Sequence, residues 1–327
     1  MILFLLFFLG IAMLVYASDL LISGASSLAL RLKVAPLVIG LTVVAFGTSL
    51  PELMVSITGA LEGATRLVLG AIIGSNIVNI LLIPGVMAFI TPLRLKKNTI
   101  WKEIPMSFLG AIVLSILGLE YVLEYRTKIG EVLGSTDEIG QIGLANGLVL
   151  LCFFVIFLYY AFSSAKKDTS IKLDIPRLSG LRSGAYMLIG LAGLVAGSHL
   201  TVTQSVAIAD TYNLGRTFVG LTLVALSTSA PELITGIVAA LKRQTDIGVG
   251  NIIGSNIFNI FMILGITAVI RPLPITGQNI AEILILLIGT AFVFVSLFVL
   301  KKHSLGRIEG AGMLIVYGLF LLYLFTR

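Results

Sequence analysis

Long apolar stretches alternate with short polar breaks along the whole chain, and each stretch holds about 20 residues. A helix of that length crosses the ~30 Å hydrocarbon core of a bilayer. The pattern predicts an all-α polytopic membrane protein rather than a transmembrane β-barrel, whose alternating segments of ~10 residues are absent from the sequence. The predicted transmembrane helices are residues 2–30, 36–60, 67–90, 101–122, 140–162, 184–209, 217–240, 247–270, 279–300 and 309–326.

The polar positions recur at a constant offset of 180 residues. Residues 38–85 align without a gap with residues 218–265, and 25 of the 48 aligned positions are identical. The first copy contains IGLTVVAFGTSLPEL from Ile39 and GAIIGSNIVNI from Gly70, and the second contains VGLTLVALSTSAPEL from Val219 and GNIIGSNIFNI from Gly250. An internal repeat of this kind is typical of secondary transporter folds, whose substrate sites lie where the two repeats meet.

The number of predicted helices fixes the relation between the repeats. Five precede a polar linker at residues 163–183 and five follow it. Because five is odd, the second repeat enters the membrane from the opposite side, so the chain is predicted to form two inverted five-helix repeats, residues 1–162 and 184–327. Residues 2–30 are predicted to be a retained first helix rather than a signal peptide, because Ser18 matches Ser198 at the same offset.

Composition and charge agree with a membrane protein surrounded by lipid. The chain is 57% hydrophobic and 12% charged, whereas soluble domains carry about 25% charged residues. Sixteen Lys and Arg residues fall on one side of the predicted topology and six on the other. By the positive-inside rule the linker is cytoplasmic and both termini face outward, in the cytoplasmic membrane. Topology thus explains the net charge of +6, and no nucleic-acid partner is expected.

Polar side chains line one face of each central helix in both repeats. Their spacing of three, four or seven residues stacks them on a single helical face. In the first repeat they are Thr48, Ser49, Glu52 and Ser56 on the second helix, and Ser75 and Asn79 on the third. In the second repeat they are Thr228, Ser229 and Glu232 on the seventh helix, and Ser255 and Asn259 on the eighth. Only Ser56 lacks a polar counterpart, because Gly236 takes its place.

These donors predict a site for hard cations. Pro51 and Pro231 directly precede the glutamates, and each removes a backbone donor, which loosens the helix where a cavity can be lined. Hydroxyl, amide and carboxylate oxygens form the ligand set that Ca²⁺ prefers and that Na⁺ can use. The single cysteine, Cys152, excludes a disulfide framework and a cysteine-based metal site. No resident cofactor is expected, since the cations would be substrates.

Two carboxylates at mid-membrane favour exchange over a structural role. Each costs at least ~2.5–3.5 kcal/mol on insertion scales unless its charge is neutralised. One Ca²⁺, two Na⁺ or two protons would each cancel the charge of Glu52 and Glu232. A site that these ions fill alternately, and that is unstable when empty, can reorient only when loaded.

At these motifs the chain resembles the cation/Ca²⁺ exchanger superfamily, whose repeats carry G-T-S-x-P-E and G-S-N-x-x-N, and in particular its compact prokaryotic sodium/calcium exchangers. The resemblance covers both repeats and the ten-helix inverted layout. It implies alternating access, with Glu52 and Glu232 as ligands shared by Ca²⁺ and Na⁺ and with the first and sixth helices as a sliding gate. It also implies oxygen ligands from the hydroxyls of both repeats and from the backbone carbonyls of Ala45 and Ala225.

Departures from the family pattern leave the coupling ion open. Asn259 stands where some sodium/calcium exchangers carry an acidic residue, so with Asn79 only two site carboxylates remain. Ala71, Ser227 and His199 also differ from the usual residues and are expected to tune affinity and gating. Asp19 and His199, matched by the repeat, could relay protons or gate access, but an inter-helix hydrogen bond or a water-facing position is the favoured interpretation.

The leading hypothesis is a secondary antiporter that exchanges Ca²⁺ for Na⁺, and not an enzyme. An antiporter of the same fold driven by H⁺, dependent on K⁺ or specific for another divalent cation is the nearest alternative. A passive channel is disfavoured because two localised carboxylates make a binding site rather than a multi-ion queue. An intramembrane protease is more distant, because Gly24-Ala25-Ser26-Ser27 lacks a matching histidine context. The sequence makes no prediction of oligomeric state.

Overall fold

The protein is largely helical. The computed structural model describes residues 2–94, 103–124, 129–133, 135, 137–164, 178–211, 228–300 and 304–326. The helices are α1 (Ile2–Leu32), α2 (Pro36–Thr48), α3 (Leu50–Glu62), α4 (Thr65–Ile90), α5 (Ile104–Gly118), α6 (Glu120–Glu124), α7 (Ile129–Val132), α8 (Leu144–Ser164), α9 (Gly180–Thr211), α10 (Ala230–Leu241), α11 (Thr245–Ile270), α12 (Gly277–Val295) and α13 (Arg307–Thr326). The strands are β1 (Leu93–Arg94), β2 (Glu138–Ile142), β3 (Leu273–Thr276) and β4 (Ser304–Leu305).

Within the described ranges, seven helices are long and apolar enough to cross a bilayer: α1, α4, α8, α9, α11, α12 and α13. The pair α2 and α3 meets the same criterion as one bent span, and α5 and α10 are shorter apolar helices. A multi-pass helical membrane protein is therefore confirmed. Residues 217–227 of the predicted seventh helix lie outside the described residues.

The second predicted helix is not continuous. It breaks at Ser49, and the axes of α2 and α3 differ by 43°. Four segments also widen into π-helix: Gly40–Val44 in α2, Val78–Leu82 in α4, Phe258–Ile263 in α11 and Ser296–Leu300 after α12. Breaks and π-helical turns at membrane depth are typical of functional sites, because they release backbone groups from the regular helical ladder.

Helices α1 and α9 form an antiparallel pair held by small residues. A Cβ atom added to Gly190 would lie 2.8 Å from both Ala17 O and Leu21 N, so the two backbones are almost in contact there. Gly197 likewise approaches Leu14 N at 3.1 Å from its added Cβ position. Lipid offers no hydrophobic drive between helices, and close packing of this kind is what joins them. Their buried side chains form an apolar cluster together with residues of α2, α10 and α11, separate from the main core.

Short strands connect the two halves of the chain. Strand β1 pairs antiparallel with β4, with Leu93 opposite Leu305. Strand β2 pairs antiparallel with β3, with Ile142 opposite Leu273. Each pair joins a strand that follows a central helix of one half to a strand that precedes the last helix of the other. Besides the α1–α9 pair, central helices of the two halves pack on each other, α2 on α11 and α4 on α10.

Candidate cation site

Both glutamates lie at the first turn of a helix that starts inside the protein. Ser49 ends α2 with φ −83° and ψ 2°, and α3 then begins with Leu50 and Pro51. Proline fits this first turn because its missing N–H needs no partner there. The start of a helix also carries partial positive charge, which favours the Glu52 carboxylate.

The second repeat builds the same turn. Ser229 has φ −88° and ψ 6°, α10 begins with Ala230 and Pro231, and Glu232 lies in the first turn. Glu52 is 5% exposed and Glu232 is completely buried. The duplicated sequence thus produces two inward-facing carboxylates, each at a helix N-terminus within the interface.

Hydroxyl groups of both repeats converge on Glu232. Ser49 Oγ donates to Glu232 Oε1 at 3.3 Å, and Ser255 Oγ donates to the same oxygen at 3.4 Å. Ser75 Oγ lies 3.4 Å from Thr228 Oγ1, and Thr48 Oγ1 lies 3.5 Å from Ser255 Oγ. These contacts join predicted ligands of both halves in one cluster of Thr48, Ser49, Glu232 and Ser255, and Ser75 with Thr228 forms a second pair across the halves.

Several buried polar atoms of the predicted ligands have no hydrogen-bond partner among the described residues. They are both carboxylate oxygens of Glu52, Oε2 of Glu232, the hydroxyl of Ser229, and the complete side-chain amides of Asn79 and Asn259. Buried polar atoms are rarely left unpaired, so such a concentration indicates a ligand. Hydroxyl and amide oxygens with two carboxylates are the donors that suit Ca²⁺ or Na⁺.

The two asparagines lie on π-helical turns. Asn79 is within Val78–Leu82, and Asn259 is within Phe258–Ile263. Both side chains are fully or almost fully buried. Since a π-helical turn shifts the helical register, the side-chain direction of these residues differs from that of a regular helix with the same spacing.

Of the two predicted carbonyl ligands, Ala45 and Ala225, the structure describes Ala45. Ala45 O accepts hydrogen bonds from Ser49 N at 3.0 Å and from Thr48 Oγ1 at 3.3 Å. Binding a cation at this oxygen would compete with the Thr48 contact. Ala225 lies outside the described residues, as does Ser227.

Asn251 joins the cluster without having been predicted. Its Oδ1 accepts a hydrogen bond from Thr48 Oγ1 at 3.0 Å, and its side chain is completely buried. Comparing the two repeats for identical residues did not identify Asn251, because its counterpart in the first repeat is Ala71. Its position four residues before Ser255 places both on one face of α11, and that spacing could have identified it.

Asp19 and His199 are not partners of each other. The Asp19 carboxylate forms an ion pair with Lys242 Nζ at 2.6 Å, whereas His199 is exposed. Asp19 thus makes an inter-helix contact, one of the two interpretations favoured from the sequence, and its partner is a lysine that the sequence analysis did not single out.

A family profile described as "sodium/calcium exchanger protein" matches residues 2–163 and 183–326. The chain belongs to this family. Members are transporters rather than enzymes, and transport agrees with a buried cation site between two repeats.

Individual relatives cover almost the whole chain. Inner membrane protein YrbG of Escherichia coli K12 is 32% identical, over 96% of this chain and 93% of its own. Sodium/calcium exchanger MaX1 of Methanosarcina acetivorans is 31% identical, over 98% of each chain. A solved structure of the sodium-calcium exchanger NCX_Mj, soaked with Na⁺ and Sr²⁺, matches with a TM-score of 0.80 and 30% identity, over 98% of each chain.

Proposed function

We propose that this protein is a secondary antiporter that exchanges Ca²⁺ for Na⁺ by alternating access. The observation that carries the proposal is the pair of buried carboxylates, Glu52 and Glu232, whose unpaired oxygens lie in a cluster of hydroxyl and amide groups. Family membership and the oxygen-only donor set support Ca²⁺ and Na⁺ as the transported ions.

Charge balance explains why such a site exchanges ions. With both carboxylates ionised the empty site carries a charge of −2 in a membrane interior, which is unfavourable by several kcal/mol. One Ca²⁺ or two Na⁺ neutralises it. The loaded site can therefore face either side in turn, while the empty site cannot cross the barrier at a useful rate, and the fluxes of the two ions become coupled.

The site residues are proposed to act as predicted. Glu52 and Glu232 would bind both ions, and the hydroxyls, amides and carbonyls would complete the coordination shells. The proposed ligands besides the glutamates are Thr48, Ser49, Ser75, Asn79, Thr228, Ser229, Ser255, Asn259 and the backbone carbonyls of Ala45 and Ala225. Asn251 would orient Thr48 through their hydrogen bond.

The proposed architecture is ten transmembrane helices in two inverted repeats, residues 1–162 and 184–327, joined by a cytoplasmic linker at 163–183. Two observations support it. The strand pairs β1–β4 and β2–β3 exchange roles when the repeats are exchanged, and the two helix starts at Ser49 and Ser229 have nearly the same backbone angles. The excess of Lys and Arg on the linker side supports termini that face outward from the cytoplasmic membrane.

Uptake of ⁴⁵Ca²⁺ into proteoliposomes of the purified protein tests the function. Outward gradients of Na⁺, H⁺ and K⁺ are imposed separately, with protein-free liposomes as the control. The proposal expects uptake that an outward Na⁺ gradient drives and that a Na⁺ ionophore abolishes. Uptake driven by H⁺ alone would retain the site but replace the coupling ion, and no Ca²⁺ movement under any gradient would contradict Ca²⁺ transport.

Asn259→Asp is expected to change the coupling of Na⁺ to Ca²⁺. The buried amide of Asn259 has no partner in the described part of the chain, so a carboxylate there would add a third charge to the same cluster. We expect more Na⁺ moved per Ca²⁺, or a new dependence of flux on pH, from the reversal potential measured in proteoliposomes. Asn79→Asp, the repeat-matched variant, is the comparison. An unchanged stoichiometry and pH profile in both would place the two asparagines outside the ion path.

A further inference from the structure

The ion pair between Asp19 and Lys242 connects the α1–α9 pair to the helices that carry the site. Lys242 follows the last residue of α10, and Asp19 lies in the middle of α1. Lys242 Nζ lies 2.6 Å from Asp19 Oδ1 and also donates to Ser23 Oγ at 2.8 Å and to Asp19 O at 3.2 Å. Three contacts from one ammonium group fix the end of α10 against one face of α1.

The 180-residue offset gives this contact a counterpart in which the acidic and basic residue types exchange places. Asp19 corresponds to His199 on α9, and Lys242 corresponds to Glu62 at the end of α3. An acid on α1 with a base after α10 is thus matched by a base on α9 with an acid on α3. In an inverted repeat, the matched residues lie on the opposite side of the membrane.

The second pair is apart in the structure. Both Glu62 and His199 are exposed, and neither side chain has an ion-pair or hydrogen-bond partner within the described ranges. By contrast, the Asp19 and Lys242 side chains are half exposed or less. One contact is made and the matched contact is not.

Packing around the two pairs shows the same asymmetry. Helix α1 covers α10, where Thr235 is completely buried and its hydroxyl lies 3.3 Å from Ser18 Oγ. At the matched position on α3, Val55 is 46% exposed. The α1–α9 pair therefore lies against the site helices on one side of the protein and away from them on the other.

We infer that these are two alternating latches, the first formed by Asp19 and Lys242 and the second by His199 and Glu62. The inference rests on the proposed alternating access. Because α1 and α9 pack through glycines along their length, they move as one unit, and a displacement that separates the first latch brings His199 towards Glu62. The first latch closes access to the cation site from the side where α10 ends at Lys242, which is cytoplasmic in the proposed topology. The second latch closes access from the outer side.

Chemical cross-linking between introduced cysteines tests both latches. The double variants are Asp19→Cys/Lys242→Cys and Glu62→Cys/His199→Cys, each made in a Cys152→Ala background, since Cys152 is the single natural cysteine. A reducible bifunctional thiol reagent with a spacer about as long as a lysine side chain is applied to protein in proteoliposomes. Glu62→Cys/Leu188→Cys is the control pair, because Leu188 lies exposed on α9 eleven residues from His199.

We expect both latch pairs to cross-link and the control pair to remain unlinked. Each cross-link should stop Ca²⁺ flux, and reduction should restore it. In the Glu62→Cys/His199→Cys variant, adding Lys242→Glu should raise the rate of cross-linking between the two cysteines by about two- to fivefold. This is the range expected for loss of a solvent-accessible ion pair. Asp19→Lys together with Lys242→Glu should return that rate to its original value.

Flux in the uncross-linked variants separates this inference from the proposed function. If they exchange Ca²⁺ but the Glu62/His199 pair links no faster than the control, the alternating latch is wrong. The same holds if Lys242→Glu leaves the linking rate unchanged. If wild-type protein in the same vesicles moves no Ca²⁺ while both pairs link, the proposed function fails and the two latched conformations stand.

Discussion

Replacing either Glu52 or Glu232 with Gln is expected to abolish Ca²⁺ uptake while the protein remains folded. Each substitution keeps the shape of the side chain and removes one of the two charges that balance a divalent cation. Both residues are buried, so solvent cannot compensate for the loss. A loss of about 3 kcal/mol in cation binding corresponds to an affinity at least ~100-fold lower. Uptake of ⁴⁵Ca²⁺ and Ca²⁺ affinity by calorimetry measure this effect.

The matched control is Glu282→Gln. Glu282 is also buried, but its Oε2 accepts a hydrogen bond from Asn279 Nδ2 at 3.2 Å near the start of α12, and it is not part of the cluster at the helix breaks. This variant should keep Ca²⁺ uptake close to that of the wild type. Full uptake in Glu52→Gln or Glu232→Gln, or an equal loss in Glu282→Gln, would rule out a site built on the paired carboxylates.

Thermal unfolding gives a second readout for the same variants. A ligand that binds only the folded state stabilises it by about 2.7 kcal/mol at a concentration 100 times its Kd. Ca²⁺ should therefore raise the Tm of the wild-type protein and of Glu282→Gln. It should have little effect on Glu52→Gln or Glu232→Gln. Without Ca²⁺, these two variants should unfold at a higher temperature than the wild type, because each lacks one buried charge.

The repeat indicated the candidate site from sequence alone. Hydrophobic length alone indicated a multi-pass helical membrane protein, since a lipid-facing helix needs about 20 apolar residues whatever its partners are. Exact recurrence of Thr48, Ser49 and Glu52 as Thr228, Ser229 and Glu232 then identified the polar face. All six side chains are buried, and Ser49 donates a hydrogen bond to Glu232 across the two repeats.

Features that depend on tertiary contacts were harder to predict from the sequence. Pro51 indicated a loosened helix, but the 43° bend at Ser49 and the π-helical turns that carry Asn79 and Asn259 were not predicted from the residue spacing. Asn251 was not predicted because only one repeat carries it. Lys242 was not predicted because its counterpart has the opposite charge. A search for residues that are identical in the two repeats finds ligands that both repeats supply. It misses residues, such as Asn251 and Lys242, that differ between the repeats.

Glycines at the crossing of α2 and α11 allow the two backbones to approach closely, and Gly254 gives the sharpest case. A Cβ atom added there would lie 2.6 Å from Leu41 O and 2.5 Å from Ala45 Cβ. Neither neighbour is the flexible end of a long side chain, so the helices must separate. The next residue, Ser255, donates to Glu232, and Asn251 on the same helix face accepts from Thr48.

Gly254→Ala is therefore expected to lower Ca²⁺ uptake severely although no ligand is changed. Overpacking at such a contact costs about 1–3 kcal/mol, which corresponds to a loss of about 5- to 140-fold in Ca²⁺ affinity if the strain falls on the site. Gly318→Ala on α13 is the control, because an added Cβ there meets no described atom within 4 Å. Both variants are compared by ⁴⁵Ca²⁺ uptake and by Tm. Equal uptake in the two would mean that the distance between α2 and α11 does not set the geometry of the site, whereas a loss confined to Gly254→Ala would show that helix packing holds the oxygen ligands in place.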